Sequence, residues 1–274
     1  MPKKHIFNGQ ALSRFQHGVA SLLFAIAGLW LLDVANLNAQ QPIDSQDTQP
    51  NIVLIMADDL GWKDLHCYGN KNLETPNLDR LAKQGMLFTN AYSASPVCTP
   101  TRAAMMTGES PARLNITNHA PGHPPGYQKP GTKIRTAPWQ RNLPLDRVTL
   151  AEQLKANGYA TGFVGKWHLS KQPTDFGFDR YWGHLSGATN FFTGDNTFRL
   201  DGKPWKVPTT HKGKPFYTTN VITDYALDFI DHHWSLKERE NRAPFFLYCA
   251  YNAPHYPLQA PKSEVEKYKD KFVK

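Results

Sequence analysis

The sequence contains few cysteines. Its 274 residues include only three, Cys67, Cys98 and Cys249. An exported domain held together by disulfides usually carries more cysteines, in even number. Cys249 lies in an apolar run and is predicted to be a buried thiol, whereas Cys67 has no assigned role. The scarcity argues against a disulfide scaffold and directs attention to Cys98.

The sequence also lacks internal repeats and low-complexity segments, which argues against a solenoid or a disordered chain. It has a net charge of +8, but it shows neither a helix-turn-helix pattern nor basic residues interleaved with aromatic ones. No nucleic acid partner is therefore expected. A basic balance of this size would suit a polyanionic substrate, although the charge alone is weak support.

No apolar run is as long as the roughly 20 residues that a membrane-spanning helix needs. The longest, residues 19–32, follows a basic segment and precedes a small residue at Ala39, as in a signal peptide. We therefore predict a signal peptide over 1–39, a polar linker over 40–50, and export to the periplasm or medium after cleavage. No stable membrane span is expected. An uncleaved membrane anchor at the N-terminus is the alternative.

Apolar runs alternate with helical patterns along the rest of the chain. Strands are predicted at 51–57, 86–92, 159–164 and 245–250, and helices at 75–84, 100–107, 145–157, 220–236 and 262–271. This alternation predicts an α/β fold with a large mixed, mostly parallel sheet sandwiched by helices. Two long segments, 117–146 and 173–216, are predicted to be mainly substrate-facing loops, with a short hairpin around Asp201 and Gly202 in the second.

Polar, titratable side chains follow every predicted strand. They are Asp58 and Asp59, Cys98 and Arg102, Lys166 and His168, and His255. Ligands of open α/β sheets gather beyond the carboxyl ends of the strands. The sequence therefore predicts a site at this edge of the sheet.

Each part of this predicted site has its own chemistry. Paired carboxylates such as Asp58 and Asp59 suit a hard divalent cation, Ca²⁺ or Mg²⁺, although either could instead cap the next helix. Lys166 and His168 would point to one face if that stretch stays extended. A helix that starts near Cys98 would direct backbone N–H groups towards an anion, and the guanidinium of Arg102 suits a tetrahedral oxyanion.

Several blocks of the chain together resemble the type I sulfatases, which belong to the alkaline phosphatase superfamily. The matching blocks are residues 51–62, 75–82, 85–92, 98–108, 158–169 and 252–255. The combination of Cys-x-Pro-x-Arg with Gly-Lys-Trp-His is specific. The resemblance runs from about residue 51 to the last residue.

The resemblance implies that Cys98 is oxidised to formylglycine by a formylglycine-generating enzyme. The aldehyde would hydrate to a geminal diol, and one hydroxyl would attack the sulfur of a sulfate ester. Asp58 and Asp59 would be metal ligands, with the oxygen made from Cys98 also near the metal. The implied metal is Ca²⁺, and Mg²⁺ is less favoured but not excluded by carboxylates alone.

The same resemblance assigns roles to four further residues. Arg102 would stabilise the diol, and Lys166 would bind the diol and the sulfate. His168 would act as base on the second hydroxyl and so expel sulfate. His255 would contact the sulfate or protonate the leaving oxygen.

The sequence departs from the family after His255, where neither the later Asp-Asn metal pair nor the second lysine is found. We therefore expect 51–274 to be a sulfatase catalytic domain that is incomplete at its C-terminus. The expected activity is hydrolysis of aryl or carbohydrate sulfate esters. Two alternatives stay open: a phosphoryl or phosphonate ester hydrolase of the same superfamily, and a non-catalytic protein that binds sulfated glycans.

Overall fold

A central six-stranded sheet organises the fold. The computed structural model describes residues 49–124, 126–235 and 243–272. Contacts separate the chain between Gln49 and Pro50, and the fold below is that of the second unit. Its strands are β1 (Ile52–Asp58), β2 (Ala160–Lys166), β3 (Arg180–His184), β4 (Phe198–Leu200), β5 (Lys203–Pro204), β6 (Thr210–His211), β7 (Lys214–Pro215) and β8 (Phe245–Pro254).

The sheet is mixed and mostly parallel, in the order β1-β8-β2-β3-β4-β5. The first four strands in this order run parallel, and β4 and β5 are added antiparallel. Strands β6 and β7 form a separate hairpin. The predicted hairpin around Asp201 and Gly202 is the turn between β4 and β5. The predicted fold class is confirmed.

Helices cover both faces of this sheet. The helices are α1 (Pro76–Gln84), α2 (Cys98–Thr107), α3 (Pro111–Leu114), α4 (Leu150–Ala156), α5 (Thr218–Ser235) and α6 (Lys262–Glu266), with 3₁₀ turns at His66–Tyr68 and Pro173–Phe176. Alternate residues of the central strands face opposite sides. Phe163 and Tyr248 pack in a cluster with α2 and α4, whereas Val164 and Leu247 pack in a cluster with α5.

The strand predicted at 86–92 is wrong. These residues are irregular, and Met86, Phe88 and Tyr92 are exposed. An apolar run becomes a strand only where a neighbouring strand takes up its backbone hydrogen bonds. Within the described chain, β8 lies between β1 and β2, and no strand pairs with residues 86–92.

Strand β3 was missed, because it lies within the segment predicted to be mainly loop. It pairs in parallel with β2 and extends the sheet beyond it. Two helices are shorter than predicted. Helix α4 begins at Leu150 rather than at 145 because Thr149 and Glu152 form a capping box there. Helix α6 ends at Glu266.

The predicted signal peptide and nearly all of the predicted linker lie outside the described residues, so both stay predictions. Within the described ranges, no helix is both long enough and apolar enough to cross a membrane.

Candidate active site

The site lies where parallel strands end. Asp58 closes β1, Lys166 closes β2, and His255 follows β8. Because these strands are parallel neighbours, their carboxyl ends meet at one edge of the sheet. Helix α2 brings Cys98 and Arg102 to the same edge, where Arg102 contacts both Asp58 and Lys166.

Three charged side chains form a buried cluster. The Nζ of Lys166 donates to Oδ2 of Asp58, and Nη2 of Arg102 lies 3.4 Å from Oδ1 of the same carboxylate. Arg102 also donates from Nη1 to the backbone carbonyl of Lys166, at 2.5 Å. The three side chains are almost wholly excluded from water. Both oxygens of Asp58 are thus engaged by cationic groups of the protein.

The charges in this cluster set its protonation. Burial raises the pKa of Asp58, but the positive charges of Arg102 and Lys166 outweigh burial and hold that pKa below its usual value. Burial and the nearby Arg102 lower the pKa of Lys166, although Asp58 opposes this. Because the guanidinium of Arg102 stays charged, it keeps the Asp58 carboxylate ionised. The cluster thus places the guanidinium of Arg102 beside an ionised carboxylate.

Tyr248 supports this cluster from β8. Its hydroxyl oxygen accepts from Nη1 of Arg102 at 3.4 Å and donates to Sδ of Met56 at 3.2 Å. Burial raises the pKa of Tyr248 to about 12, so it stays a neutral phenol. It fixes Arg102 without adding charge.

Cys98 is the first residue of α2 and is partly buried. Helix α2 begins two residues earlier than predicted, so the cysteine belongs to its first turn. Cys98 lines a cavity of about 340 Å³ together with Asp58, Asp59 and Arg102. Its side chain therefore shares this cavity with both carboxylates and the guanidinium.

His168 is buried and has a left-handed backbone, with φ of 57°. The extended geometry that would place Lys166 and His168 on one face is therefore wrong, because β2 ends at Lys166. Nε2–H of His168 donates to the carbonyl of Ala120, which leaves Nδ1 unprotonated. Burial lowers the pKa of His168 to about 4. The imidazole is thus neutral near pH 7.

His255 lies at the outer side of the site. Its Nε2 is 3.6 Å from Oδ2 of Asp59, and the Asp59 side chain is about half exposed. Asp59 also has a left-handed backbone, with φ of 61°, which turns the chain sharply after β1. The structure thus brings every predicted site residue to one edge of the sheet, while their chemical roles stay predictions.

The donor chemistry partly fits a hard divalent cation. Asp58 and Asp59 offer carboxylate oxygens on the wall of one cavity, which are the ligands that such cations prefer. Across the described ranges, however, no group of three or more histidine, cysteine, aspartate and glutamate side chains could hold a metal ion. These residues would supply only part of a Ca²⁺ coordination shell, which takes six to eight oxygens.

His184 is a buried residue near the site that the sequence did not reveal. It is the register partner of Lys166 on β3, and its Nδ1 lies 3.0 Å from Oγ of Ser186. Ser186 in turn donates to Asp195 at 2.6 Å. Burial lowers the pKa of His184 to about 3, so it adds no charge beside Lys166. His184 could have been found by predicting β3, because it is the last residue of that strand and so lies at the same sheet edge as the other site residues.

Comparisons with known proteins point to one family. The sequence is 38% identical to human N-acetylgalactosamine-6-sulfatase over 232 residues, which is 78% of this chain and 41% of that protein. It is 36% identical to human arylsulfatase A over 237 residues, or 80% of this chain and 44% of that protein. The chain spans less than half the length of these curated relatives.

Solved structures show the same fold. A crystal structure of Ps i-CgsB in complex with k-i-k-neocarrahexaose matches with a TM-score of 0.66 and 32% identity, over 83% of this chain and 50% of that one. The structure of BT4656 in complex with D-glucosamine-2-N,6-O-disulfate matches with a TM-score of 0.65 and 26% identity, over 83% of this chain and 39% of that one.

A family model described as Sulfatase matches residues 50–273. This range includes every described strand and helix and all the site residues above. The chain therefore belongs to the Sulfatase family.

Proposed function

We propose that this chain carries catalytic residues of a sulfuric ester hydrolase that cleaves carbohydrate or aryl sulfate esters. The observation that carries the proposal is the placement of Cys98. It lines the same cavity as Arg102, and Arg102 belongs to a buried cluster in which two cationic groups meet one carboxylate. Such an arrangement stabilises the negative charge that develops on an attacked sulfate group.

The proposed nucleophile is made from Cys98. A formylglycine-generating enzyme, which is the proposed partner, would oxidise the side chain by two electrons with an external oxidant such as O₂ as the acceptor. The sulfur would leave as hydrogen sulfide, and water would supply the aldehyde oxygen. The hydrated aldehyde offers one hydroxyl for attack on sulfur and a second for release of the sulfate, so that covalent catalysis divides one difficult step into two.

Arg102 and Lys166 are proposed to hold the anion. The guanidinium of Arg102 is fixed by Asp58, by Tyr248 and by the carbonyl of Lys166. A cation that is already oriented stabilises charge without reorganising during the reaction. Lys166 would bind the sulfate and the hydroxyls formed at position 98.

His168 is proposed to be the base. It is neutral near pH 7 because burial lowers its pKa to about 4, and Nδ1 carries a free lone pair. It would take the proton of the second hydroxyl, so that the aldehyde re-forms and sulfate leaves. His255, beside Asp59, would contact the sulfate or protonate the leaving oxygen of the ester.

Asp58 and Asp59 are proposed to contribute oxygens to a Ca²⁺ site, with Mg²⁺ less favoured. A divalent cation there would polarise the sulfate oxygens and offset their charge. Asp58 would have to give up part of its contact with Lys166 or Arg102 to become a ligand.

Sulfated carbohydrates are the proposed substrates. The support comes from the similarity to N-acetylgalactosamine-6-sulfatase and to two proteins whose structures were solved in complex with a neocarrahexaose and with a disulfated glucosamine. Export after removal of residues 1–39 stays part of the proposal, and it is compatible with such substrates.

Co-expression with a formylglycine-generating enzyme tests the proposal. Mass spectrometry of the tryptic peptide containing residue 98 would show the aldehyde, and ion chromatography would measure sulfate released from an aryl sulfate and a sulfated oligosaccharide. We expect aldehyde formation and sulfate release, both abolished in Cys98→Ala. An unmodified cysteine without sulfate release would reject the proposal.

Two other outcomes would identify the alternatives. Faster release of phosphate from an aryl phosphate than of sulfate from the matched aryl sulfate would indicate a phosphoryl ester hydrolase. Binding of a sulfated polysaccharide that survives Cys98→Ala, with no turnover by the parent chain, would indicate a glycan-binding protein.

A further inference from the structure

We propose that Thr99 is a positioning residue for His168: it holds Ala120, whose carbonyl fixes the imidazole tautomer. The inference deepens the proposed function and rests on it. It gives Thr99 a role in the folded site, beyond its place in the Cys-x-Pro-x-Arg sequence.

Hydrogen bonds among Thr99, Ala120 and His168 form a closed cycle. The N–H of Ala120 donates to Oγ1 of Thr99 at 3.0 Å. Nε2–H of His168 donates to the carbonyl of the same Ala120. Oγ1 of Thr99 lies 3.5 Å from Nδ1 and 3.4 Å from Nε2 of His168.

The cycle determines where each proton lies. A backbone carbonyl can only accept, so the proton of His168 is on Nε2 and Nδ1 carries a lone pair. Oγ1 of Thr99 is almost equally distant from the two ring nitrogens, so it contacts the ring without occupying the Nδ1 lone pair. The carbonyl of Ala120 therefore sets the tautomer, and Thr99 acts on His168 by holding Ala120.

The imidazole is also held sterically. Thr99 is fully buried and His168 is nearly so. Gly187 lies against the ring: a Cβ atom at this position would stand 2.5 Å from both Cε1 and Nε2 of His168. Only glycine at this position therefore leaves room for the imidazole in its observed orientation.

The backbone of His168 is strained as well. Its φ of 57° is left-handed, which costs a residue with a side chain on the order of 1–2 kcal/mol. Such strain persists only where the surroundings impose it, and it concentrates at functional sites. The contacts with Thr99, Ala120 and Gly187 are surroundings of this kind.

The position of Thr99 gives these contacts a functional meaning. It directly follows Cys98 in the first turn of α2. Adjacent residues of one helix turn would therefore hold both the proposed nucleophile and its base. Ala120 belongs to the segment 117–146, predicted to face the substrate, so movement of this loop would change the hydrogen bonds of His168.

Three substitutions isolate the hydroxyl. Thr99→Val replaces it by a methyl group of similar volume, Thr99→Ser keeps it, and Thr101→Val is the matched control. Thr101 belongs to the same pentapeptide, but its hydroxyl donates to the carbonyl of Ser95 at 2.8 Å. Long-range ¹H–¹⁵N correlation spectra of the unmodified chain report the tautomer of His168 without requiring turnover.

We expect the Nε2–H tautomer of His168 in the parent chain, Thr99→Ser and Thr101→Val. Thr99→Val should give a tautomer mixture or a shifted Nδ1 resonance. If Thr99→Val does not fold, Thr99→Ala removes the hydroxyl without adding a methyl group and decides in its place. Parent-like His168 resonances in the folded hydroxyl-free variant would overturn the inference.

Kinetics provide a second measurement on the modified chain. The aldehyde content at residue 98 is measured by mass spectrometry for each variant, so that rates are compared per active site. Thr99→Val should lower kcat by about tenfold or more with little change in KM, because a small misplacement of a catalytic group is costly. Thr99→Ser should retain most of the rate.

The two proposals can fail separately. If the parent chain carries the aldehyde but releases no sulfate, the proposed activity fails, while the spectra of the unmodified chain still decide the role of Thr99. If the parent is active and Thr99→Val matches it in kcat and in His168 resonances, only the inference about Thr99 fails.

Discussion

Asp58 is held between two cations, Lys166 and Arg102, and all three side chains are almost excluded from water. Removing charges from water is costly, and only mutual compensation makes such a cluster tolerable. Here one carboxylate compensates two cations, and Arg102 has further support from Tyr248 and from a backbone carbonyl. Loss of the Asp58 charge should therefore lower the free energy of unfolding more than loss of the Lys166 charge.

Asp58→Asn should lower the free energy of unfolding by about 3–5 kcal/mol, because it leaves Lys166 and Arg102 buried without a counter-charge. Lys166→Met should lower the free energy of unfolding by less, since the charge of Arg102 still compensates that of Asp58. Urea unfolding in the presence of a chelator measures both.

The matched control for this prediction is the exposed pair of Lys212 and Asp228, whose charged atoms are 2.7 Å apart. Asp228→Asn should change stability by about 1 kcal/mol or less, because water screens an exposed pair. An effect of Asp58→Asn no larger than that of Asp228→Asn would show that the buried charges are compensated in another way.

At the scale of elements, glycine allows three strands to approach closely beside the site. A Cβ atom at Gly165 would lie 2.0 Å from the carbonyl oxygen of Ala250, and one at Gly183 would lie 1.9 Å from that of Gly165. Real Cβ atoms do not approach backbone so closely, so β8, β2 and β3 could not keep this spacing with larger residues. Lys166 and His184 directly follow these two glycines and depend on that spacing.

Gly183→Ala should lower the free energy of unfolding by several kcal/mol more than Gly213→Ala. Both glycines have positive φ, but nothing lies within 4 Å of a Cβ atom at Gly213. Gly213→Ala should therefore lower the free energy of unfolding only because alanine must adopt a left-handed backbone, which costs about 1–2 kcal/mol. Thermal or urea unfolding of the two variants gives the comparison, and equal losses would contradict the close strand contact.

The elements also show where prediction from sequence worked. Strands β1, β2 and β8 were predicted because their long apolar runs stand out from polar surroundings. Strand β3 was missed because its short aromatic run lies among glycines, prolines and loop residues. Residues 86–92 have a strand composition, but a composition cannot supply the neighbouring strand that pairing requires.

At the scale of the molecule, β1 forms one edge of the six-stranded sheet. Its side chains alternate, and Val53 and Ile55 on one face are 46% and 61% exposed. An edge strand with an exposed apolar face favours association with other surfaces.

Ile55→Lys should reduce self-association and the binding of a hydrophobic dye, because a charge on this face opposes burial against another surface. Size-exclusion chromatography with light scattering, together with dye fluorescence, measures the change. Val148→Lys is the control, since Val148 is similarly exposed at 57% but lies outside the strands. Equal effects of both variants would point to net charge rather than to the β1 face.

Sequence alone predicts the fold class, the family resemblance and the residues of the candidate site. These depend on local features: apolar runs, a Cys-x-Pro-x-Arg signature, and polar residues that follow strands. The family comparison confirmed the resemblance, while the chemical roles of all the site residues stay predictions.

The arrangement of these residues becomes visible only in the folded chain. It showed that Asp58 is engaged by Lys166 and Arg102, that His168 turns into a left-handed conformation, and that Thr99 and Ala120 hold its ring. These contacts join residues far apart in the chain, such as Thr99 and His168, or Asp58 and Lys166. No local pattern encodes such pairs, because the packing of strands and helices sets which side chains meet.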